Sequence, residues 1–309
     1  MRKVKIGISL GSGGAKGLSH IGILKVLERE NIEISYISGS SIGALVGGLY
    51  AFGYSANDLE KIALNFSKEN FYDLFDFSKS FQGIIKGDKI LNLIDELLKG
   101  ASFSDLKIPF LPVAVDLITG DKIIIKDGKV SFAIRASISI PVIFQPFPWK
   151  DKLLIDGGVL SPVPVKELKE EYKPDIIIAV NLHKKIKWDF KEKQKPLEIP
   201  IIPSSIPEKI TYMISQSSLF REFQRRLNPL LNPSLFEVLM QTIDIMNYEI
   251  AEQNFKEADI VITPEVQNYG TFDFDKAKEL IALGEKAGEE NILKIKEIIK
   301  KKRRRFFIF

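Results

Sequence analysis

The first fifty residues alternate short apolar runs with glycine-rich turns, a pattern that few folds accommodate. Residues 4–10 form a β-rich run that ends at Gly11. Leu18, Ile21, Leu24 and Val26/Leu27 then recur at helical spacing across residues 17–30. Residues 34–37 read as a second strand, and residues 42–52 as a helix stopped by Gly53. Strand, glycine loop, helix, strand, tight turn, helix predicts a parallel sheet covered by helices, because parallel neighbours need a crossover connection. The uncharged stretch over residues 34–57 is long enough to cross a bilayer. Ser38-Gly39-Ser40-Ser41 interrupts it, however, and the continuous apolar part, residues 42–52, is short. A buried core helix is therefore expected there rather than a membrane span.

The rest of the chain continues the alternation. Residues 57–67 and 89–98 read as helices, and residues 110–116 and 122–125 as strands joined through Thr119-Gly120. A short strand over residues 153–155 precedes Asp156-Gly157-Gly158. Residues 175–182 and 259–263 are further β-rich runs, residues 234–255 read as a helix, and residues 279–302 as a long amphipathic one. Residues 184–207 carry Lys, Pro and Ile without a clean period and read as a surface loop or flap. No internal repeat is visible.

Composition excludes several chemistries. The 309 residues include no cysteine, so disulfides, thiol nucleophiles and Cys-bound metals are ruled out. A net charge of +4 gives no ground for a nucleic-acid partner. The abundance of Lys, Glu and Ile fits growth at high temperature or an AT-rich genome equally well. The basic N-terminal residues lead into a glycine loop and not a long apolar segment, so no secretory signal is expected. Residues 300–305 are six consecutive Lys or Arg, followed by Phe306, Phe307, Ile308 and Phe309. This tail reads either as a frayed helix end or as a contact with an anionic lipid surface, in which case its removal weakens binding to anionic vesicles.

Two short motifs carry candidate chemistry. Gly39-Ser40-Ser41-Ile42-Gly43 has the G-x-S-x-G spacing around Ser41: a serine on a sharp strand-to-helix turn requires small residues two before and two after it. Ser40 lacks those glycines. A plain turn with a serine N-cap explains the pentapeptide equally well. Gly11-Ser12-Gly13-Gly14-Ala15-Lys16-Gly17 follows the first strand. It fails the dinucleotide fingerprint, because Lys16 stands at the sixth place, and it fails the Walker pattern, because Lys16 is followed by Gly17. An oxyanion hole of backbone N–H groups remains. Lys16 near a helix N-terminus opposes the helix dipole, so it reads as a specific functional residue or as a solvated surface charge. A serine also needs a base. His183 can formally complete a triad Ser41, Asp156, His183, or be a loop-edge histidine. His20 follows the glycine loop. Asp156 before two glycines is either an ordinary turn residue or a desolvated base with a raised pKa.

Taken in order, these segments resemble the patatin-like phospholipases. Gly11 to Gly17 with the following Leu18 to Leu24 is similar to the family's glycine-rich segment. Gly39 to Gly43 is similar to its nucleophile elbow, Ala136 to Pro146 to its Ser/Pro-rich stretch, and Asp156-Gly157-Gly158 to its acid motif. The agreement runs over about residues 5–181. Ala258 to Pro264 and the helix after it resemble the end of bacterial single-domain members. The resemblance implies an α/β fold of three layers, with a mostly parallel central sheet flanked by helices. It implies one domain over residues 1–299, with a variable flap and helical region over residues 184–255 and a basic-aromatic tail over residues 300–309. It implies a Ser41–Asp156 dyad, oxyanion donors at Gly13 and Gly14, and supporting roles for Lys16, Gly39, Gly43 and Gly157, with both histidines structural. Ser12 departs from the family, which often has glycine there. No metal or organic cofactor is implied. The expected substrate is a phospholipid, lysophospholipid or other acyl ester, and the expected location is cytoplasmic, peripheral on the inner membrane face. A His-triad esterase and a non-catalytic membrane-associated binding protein are the rival readings.

Overall fold

The computed structural model describes residues 3–66, 85–184 and 235–305. The chain divides into two compact units, one formed by Met1–Lys184 with Met246–Phe309 and one by Lys185–Ile245. The flap expected within residues 184–255 falls largely outside the described residues.

In the larger unit the strands are β1 (Ile6–Leu10), β2 (Tyr36–Ser40), β3 (Phe110–Asp116), β4 (Lys122–Ile124), β5 (Phe147–Trp149), β6 (Lys152–Asp156), β7 (Ile176–Val180) and β8 (Ile260–Ile262). The helices are α1 (Ser19–Arg29), α2 (Ile42–Phe52), α3 (Ala56–Phe66), α4 (Asp88–Leu97), α5 (Val130–Ser137), α6 (Val165–Tyr172), α7 (Leu235–Asn254, which begins in the smaller unit) and α8 (Ala277–Arg305). The sheet order is β5-β6-β3-β2-β1-β7-β8, with β4 pairing β3. The run β3-β2-β1-β7-β8 is parallel, whereas β4, β6 and β5 add antiparallel pairs at the β3 side.

Alternation along β7 separates the two faces. Ile176, Ile178 and Val180 enter the main core with α1, α2, α3 and α8, while Ile177 and Ala179 face α6 and α7 through Leu168 and Ala251. This is the three-layer α/β arrangement expected from the sequence. A strand buried on both faces must be apolar throughout, and Ile-Ile-Ile-Ala-Val is.

The uncharged stretch resolves into β2 and α2. Eight of the eleven residues of α2 are buried, because sheet, α1 and α5 surround it. Its Gly47 and Gly48 lie against Ile37, Phe110 and Ile134. No described helix is long and apolar enough to cross a membrane. The second strand lies later than residues 34–37: Tyr36–Ser40 is strand through the serines, since pairing with β1 and β3 outweighs the turn preference of Ser and Gly. The basic block continues α8 as helix to Arg305, while residues 306–309 lie outside the described residues.

α1 and α8 approach closely enough that a Cβ at Gly22 meets the Ile281 carbonyl oxygen at 2.0 Å and one at Gly284 meets that of Ser19 at 1.9 Å. Backbone on both sides leaves nothing to rotate away. Gly284→Val is expected to cost at least about 2 kcal/mol by overpacking, read as a lowered denaturant midpoint. An unchanged midpoint contradicts the close approach.

Candidate functional site

The site begins at the C-terminal edge of β2. Ser41 follows Ser40 and caps α2 with φ 55° and ψ −125°. A non-glycine residue at positive φ is strained and persists only where its surroundings hold it. Three contacts do so. The Ser41 N–H donates to Ser137 Oγ at 3.0 Å, and Ser137 Oγ donates to the Val113 carbonyl at 2.6 Å. The Ser41 carbonyl accepts from the amides of Ala44 and Leu45 at 2.9 and 3.1 Å. The turn is tight enough that a Cβ at Gly39 meets the Gly43 oxygen at 2.4 Å, and a Cβ at Gly43 meets the Leu10 oxygen at 2.1 Å. Side chains at either position are therefore excluded.

The sheet register brings in the carboxylate. Ser40 lies opposite Val113 on β3, and Asp156, at the end of β6, lies opposite Ala114. Ser41 Oγ donates to Asp156 Oδ2 at 2.5 Å. The second oxygen, Oδ1, accepts the Gly158 amide at 2.7 Å, and the Asp156 amide donates to the Ser139 carbonyl at 2.9 Å. Gly157 is needed at its position because a Cβ there meets the Val113 oxygen at 2.2 Å. Both side chains are buried. Burial pushes the Asp156 pKa up to about 7, against the opposing hydrogen bonds from Ser41 and Gly158.

The glycine loop packs beside this pair. Gly17 lies against Ile42 at the start of α2, and Ser12 Oγ lies 3.0 Å from where a Cβ on Gly158 would sit. The amides of Gly11, Ser12 and Ala15 donate to the carbonyls of Val180, Pro162 and Thr271 at 3.0, 2.8 and 2.8 Å. Among the described residues, the amides of Gly13 and Gly14 have no such partner. Gly14 has φ 58° and backs onto Thr271, where a Cβ meets the carbonyl oxygen at 2.4 Å. Lys16 is buried in the short 3-10 helix Gly14–Leu18.

The histidines bond to the glycine loop and not, among the described residues, to the pair. His183 Nε2 lies 3.0 Å from Ser12 Oγ, and its backbone is clamped by the Asn181 side chain through bonds of 2.8 and 3.0 Å. Among the described residues, the Asp156 carboxylate is bonded to Ser41 and Gly158, not to His183. Burial, and then the charge of Lys16, lower the His183 pKa to about 3. His20 Nε2 donates to the Gly11 carbonyl at 2.8 Å, and burial lowers its pKa to about 4. Both rings are neutral near pH 7 and brace the start of the glycine loop, at Gly11 and Ser12.

Three residues here carry no role in the sequence reading. Ser137 anchors the Ser41 amide and Ser139 the Asp156 amide, so one turn at the end of α5 holds both partners. Buried Arg135 steadies that turn. Its Nη1 donates to Ser139 Oγ at 2.7 Å, and its Nε and Nη2 reach the carbonyls of Gly87, Lys86 and Gln145. The visible signal was the Ser/Pro-rich stretch beginning at Ala136. Ser137→Ala is expected to lower the rate of any Ser41-dependent reaction by about tenfold or more through loss of one buried hydrogen bond. Ser137→Ala protein with full Ser41 reactivity contradicts the anchoring.

The raised pKa also makes Asp156 a stability liability. Its folded value of about 7 lies above the ordinary carboxyl value of 3.8, so the folded state holds the proton more tightly. Stability from this group is present below the unfolded pKa and is lost as pH rises through the folded one. Asp156→Asn is therefore expected to raise the melting temperature at pH about 8, where the wild-type side chain is charged. A melting temperature that falls there contradicts the desolvation.

The sequence profile described as patatin-like phospholipase matches residues 8–169, more than half of the chain. An uncharacterized NTE family protein of Mycobacterium tuberculosis is 36% identical over 179 residues, covering 58% of this chain and 49% of the relative. A lysophospholipase NTE1 of Scheffersomyces stipitis is 28% identical over 283 residues, covering 90% of this chain and 17% of the relative. The chain thus spans half or less of the length of these curated relatives. The crystal structure of VipD from Legionella pneumophila superposes with a TM-score of 0.49 at 16% identity, covering 97% of this chain and 67% of that one. On the match across residues 8–169, the chain belongs to the patatin-like phospholipase family.

Proposed function

We propose that this protein is a serine acyl hydrolase that cleaves lipid esters with a Ser41–Asp156 dyad. The observation that carries the reading is the 2.5 Å hydrogen bond from Ser41 Oγ to a buried carboxylate. The family and the lysophospholipase name of one relative direct the substrate class to phospholipids and lysophospholipids.

In the first half-reaction Ser41 Oγ attacks the ester carbonyl carbon and its proton passes to Asp156. A carboxylate with an ordinary pKa is a poor acceptor for this proton. A pKa near 7 brings the base close to the working pH, where general-base catalysis is most effective. The tetrahedral oxyanion is met by the amides of Gly13 and Gly14 and by the N-terminus of α2, which has no acidic residue in its first turn. Collapse breaks the ester C–O bond, and Asp156 returns its proton to the leaving oxygen. The alcohol departs, leaving an acyl group on Ser41. Water then attacks the acyl carbon and gives its proton to Asp156. Breakdown of this second intermediate releases the fatty acid as Ser41 recovers its proton. Ser41's strained turn keeps Oγ fixed throughout, so little reorganisation is needed at the moment of attack.

The His-triad alternative receives no support from the hydrogen bonding of His183, which engages Ser12. The test is hydrolysis of lysophosphatidylcholine and of a short p-nitrophenyl ester, with fluorophosphonate labelling alongside. Ser41→Ala and Asp156→Ala are each expected to lose at least about a thousandfold in kcat/KM while keeping the wild-type circular dichroism spectrum. His183→Ala is expected to retain the dyad's chemistry. An active Asp156→Ala enzyme, or loss of activity on His183→Ala equal to that of Ser41→Ala, overturns the dyad.

A further inference from the structure

The edge of the sheet that carries Ser41 also carries an apolar rim that the dyad does not use. Asp156 lies opposite Ala114, and β3 continues beyond that level to Asp116 before turning. The turn therefore projects about 10 Å past the dyad, given roughly 3.3 Å per strand residue. At its tip Leu117 is 51% exposed and Ile118 72%. The β5–β6 turn lies alongside, since the Leu117 amide donates to the Leu153 carbonyl at 2.8 Å. It presents half-buried Trp149 with the Lys150 ammonium 4.1 Å from its ring centroid. Exposed Val142 and Leu160 stand close in sequence to Ser139 and Asp156 at the same edge.

The charges beside these tips are paired with acids. Lys150 meets Asp127 at 3.4 Å, Lys152 meets Asp116 at 3.6 Å and Lys122 meets Glu167 at 2.5 Å. With Asp121 and Asp151 in the same turns, the edge is apolar and amphipathic without a net positive field. Exposed aliphatic residues beside a Trp–Lys pair suit the boundary between headgroups and acyl chains.

The basic block lies at the far end of α8 from the glycine loop. α8 starts next to the glycine loop, where the Ala15 amide donates to the Thr271 carbonyl, and it runs parallel to α1: Ser19 meets Gly284, Val26 meets Gly288 and Glu30 pairs with Lys296. Lys300 is therefore about 35 Å of helix away from the start of α8. A flat surface that reaches the Ser41 edge does not also reach residues 300–305.

We propose that the Leu117–Ile118 and Trp149–Lys150 tips dock this protein on a lipid surface, by apolar insertion and not by attraction to anionic headgroups. The proposal rests on the acyl-hydrolase reading and names the surface through which that site meets its substrate.

The test uses the full chain, phosphatidylcholine vesicles and a short, freely soluble p-nitrophenyl ester. Leu117→Ser with Ile118→Glu is expected to reduce vesicle co-sedimentation and hydrolysis of vesicle-borne lipid by roughly tenfold or more. The same variant is expected to cleave the soluble ester at the wild-type rate and to melt at the wild-type temperature. Raising salt to about 1 M, which shortens the Debye length to about 3 Å, is expected to leave wild-type binding within about twofold, and so is removal of residues 300–309. Wild-type vesicle binding that is absent, unaffected by the tip substitutions, or abolished by salt or by loss of the tail overturns the proposal. So does a variant that changes oligomeric state while vesicle binding stays intact. A wild-type protein inert on the soluble ester refutes the acyl-hydrolase reading instead, so the two failures are distinguishable.

Discussion

The hydrogen bond between Ser41 and Asp156 depends on a three-strand register. β2 delivers Ser41, β3 sets its height through Val113, and β6, running antiparallel, brings Asp156 opposite Ala114. A slip of one residue in either pairing turns the relevant side chain to the other face of the sheet. The neighbouring small residues follow from this constraint. Gly39, Gly43 and Gly157 lie where a Cβ meets backbone oxygen, so what looks in sequence like a flexible glycine-rich chain is a set of close backbone crossings. The strained φ of Ser41 is tolerated because Ser137 and the first turn of α2 fix it from both sides.

The same burial has two consequences that oppose each other. It raises the Asp156 pKa into the range useful to a base, and it makes the charged form costly to the fold. The two histidines respond to burial in the opposite sense, with pKa values lowered to about 4 and about 3. They stay neutral near pH 7 and serve as hydrogen-bonding braces. Asp156 is thereby left as the carboxylate whose titration falls near neutrality beside Ser41.

Much of this architecture was legible in the sequence where local pattern and tertiary role agree. Residues 42–52 and 110–116 match α2 and β3 at both ends, because an apolar run ending at Gly53 and an apolar β-rich run ending at a turn carry their own punctuation. Legibility failed where tertiary contact overrides pattern. Tyr36–Ser40 is strand despite its serines and glycine, because Ser38 and Gly39 pair on both sides and Ser40 pairs with β3. α5 (Val-Ser-Phe-Ala-Ile-Arg-Ala-Ser) contains β-branched and polar residues that conceal its helical period, and Phe147–Trp149 contains a proline that argues against a strand. The motif serine and aspartate stood out through their flanking glycines. Ser137, Ser139 and Arg135 did not, because a hydroxyl, a main-chain carbonyl or a guanidinium that braces a turn leaves no mark separating its residue from others of the same type.

The proposed chemistry stands on Asp156, its pKa raised by burial, as the base for Ser41. The pH dependence of kcat/KM for a soluble short-chain ester tests it most directly. With such a base the rate rises with pH through a single ionisation near 7 and then levels off, as the carboxyl loses its proton. A rate that is flat down to the ordinary carboxylate range, or a limb near 7 that survives unchanged in Asp156→Asn, would contradict it.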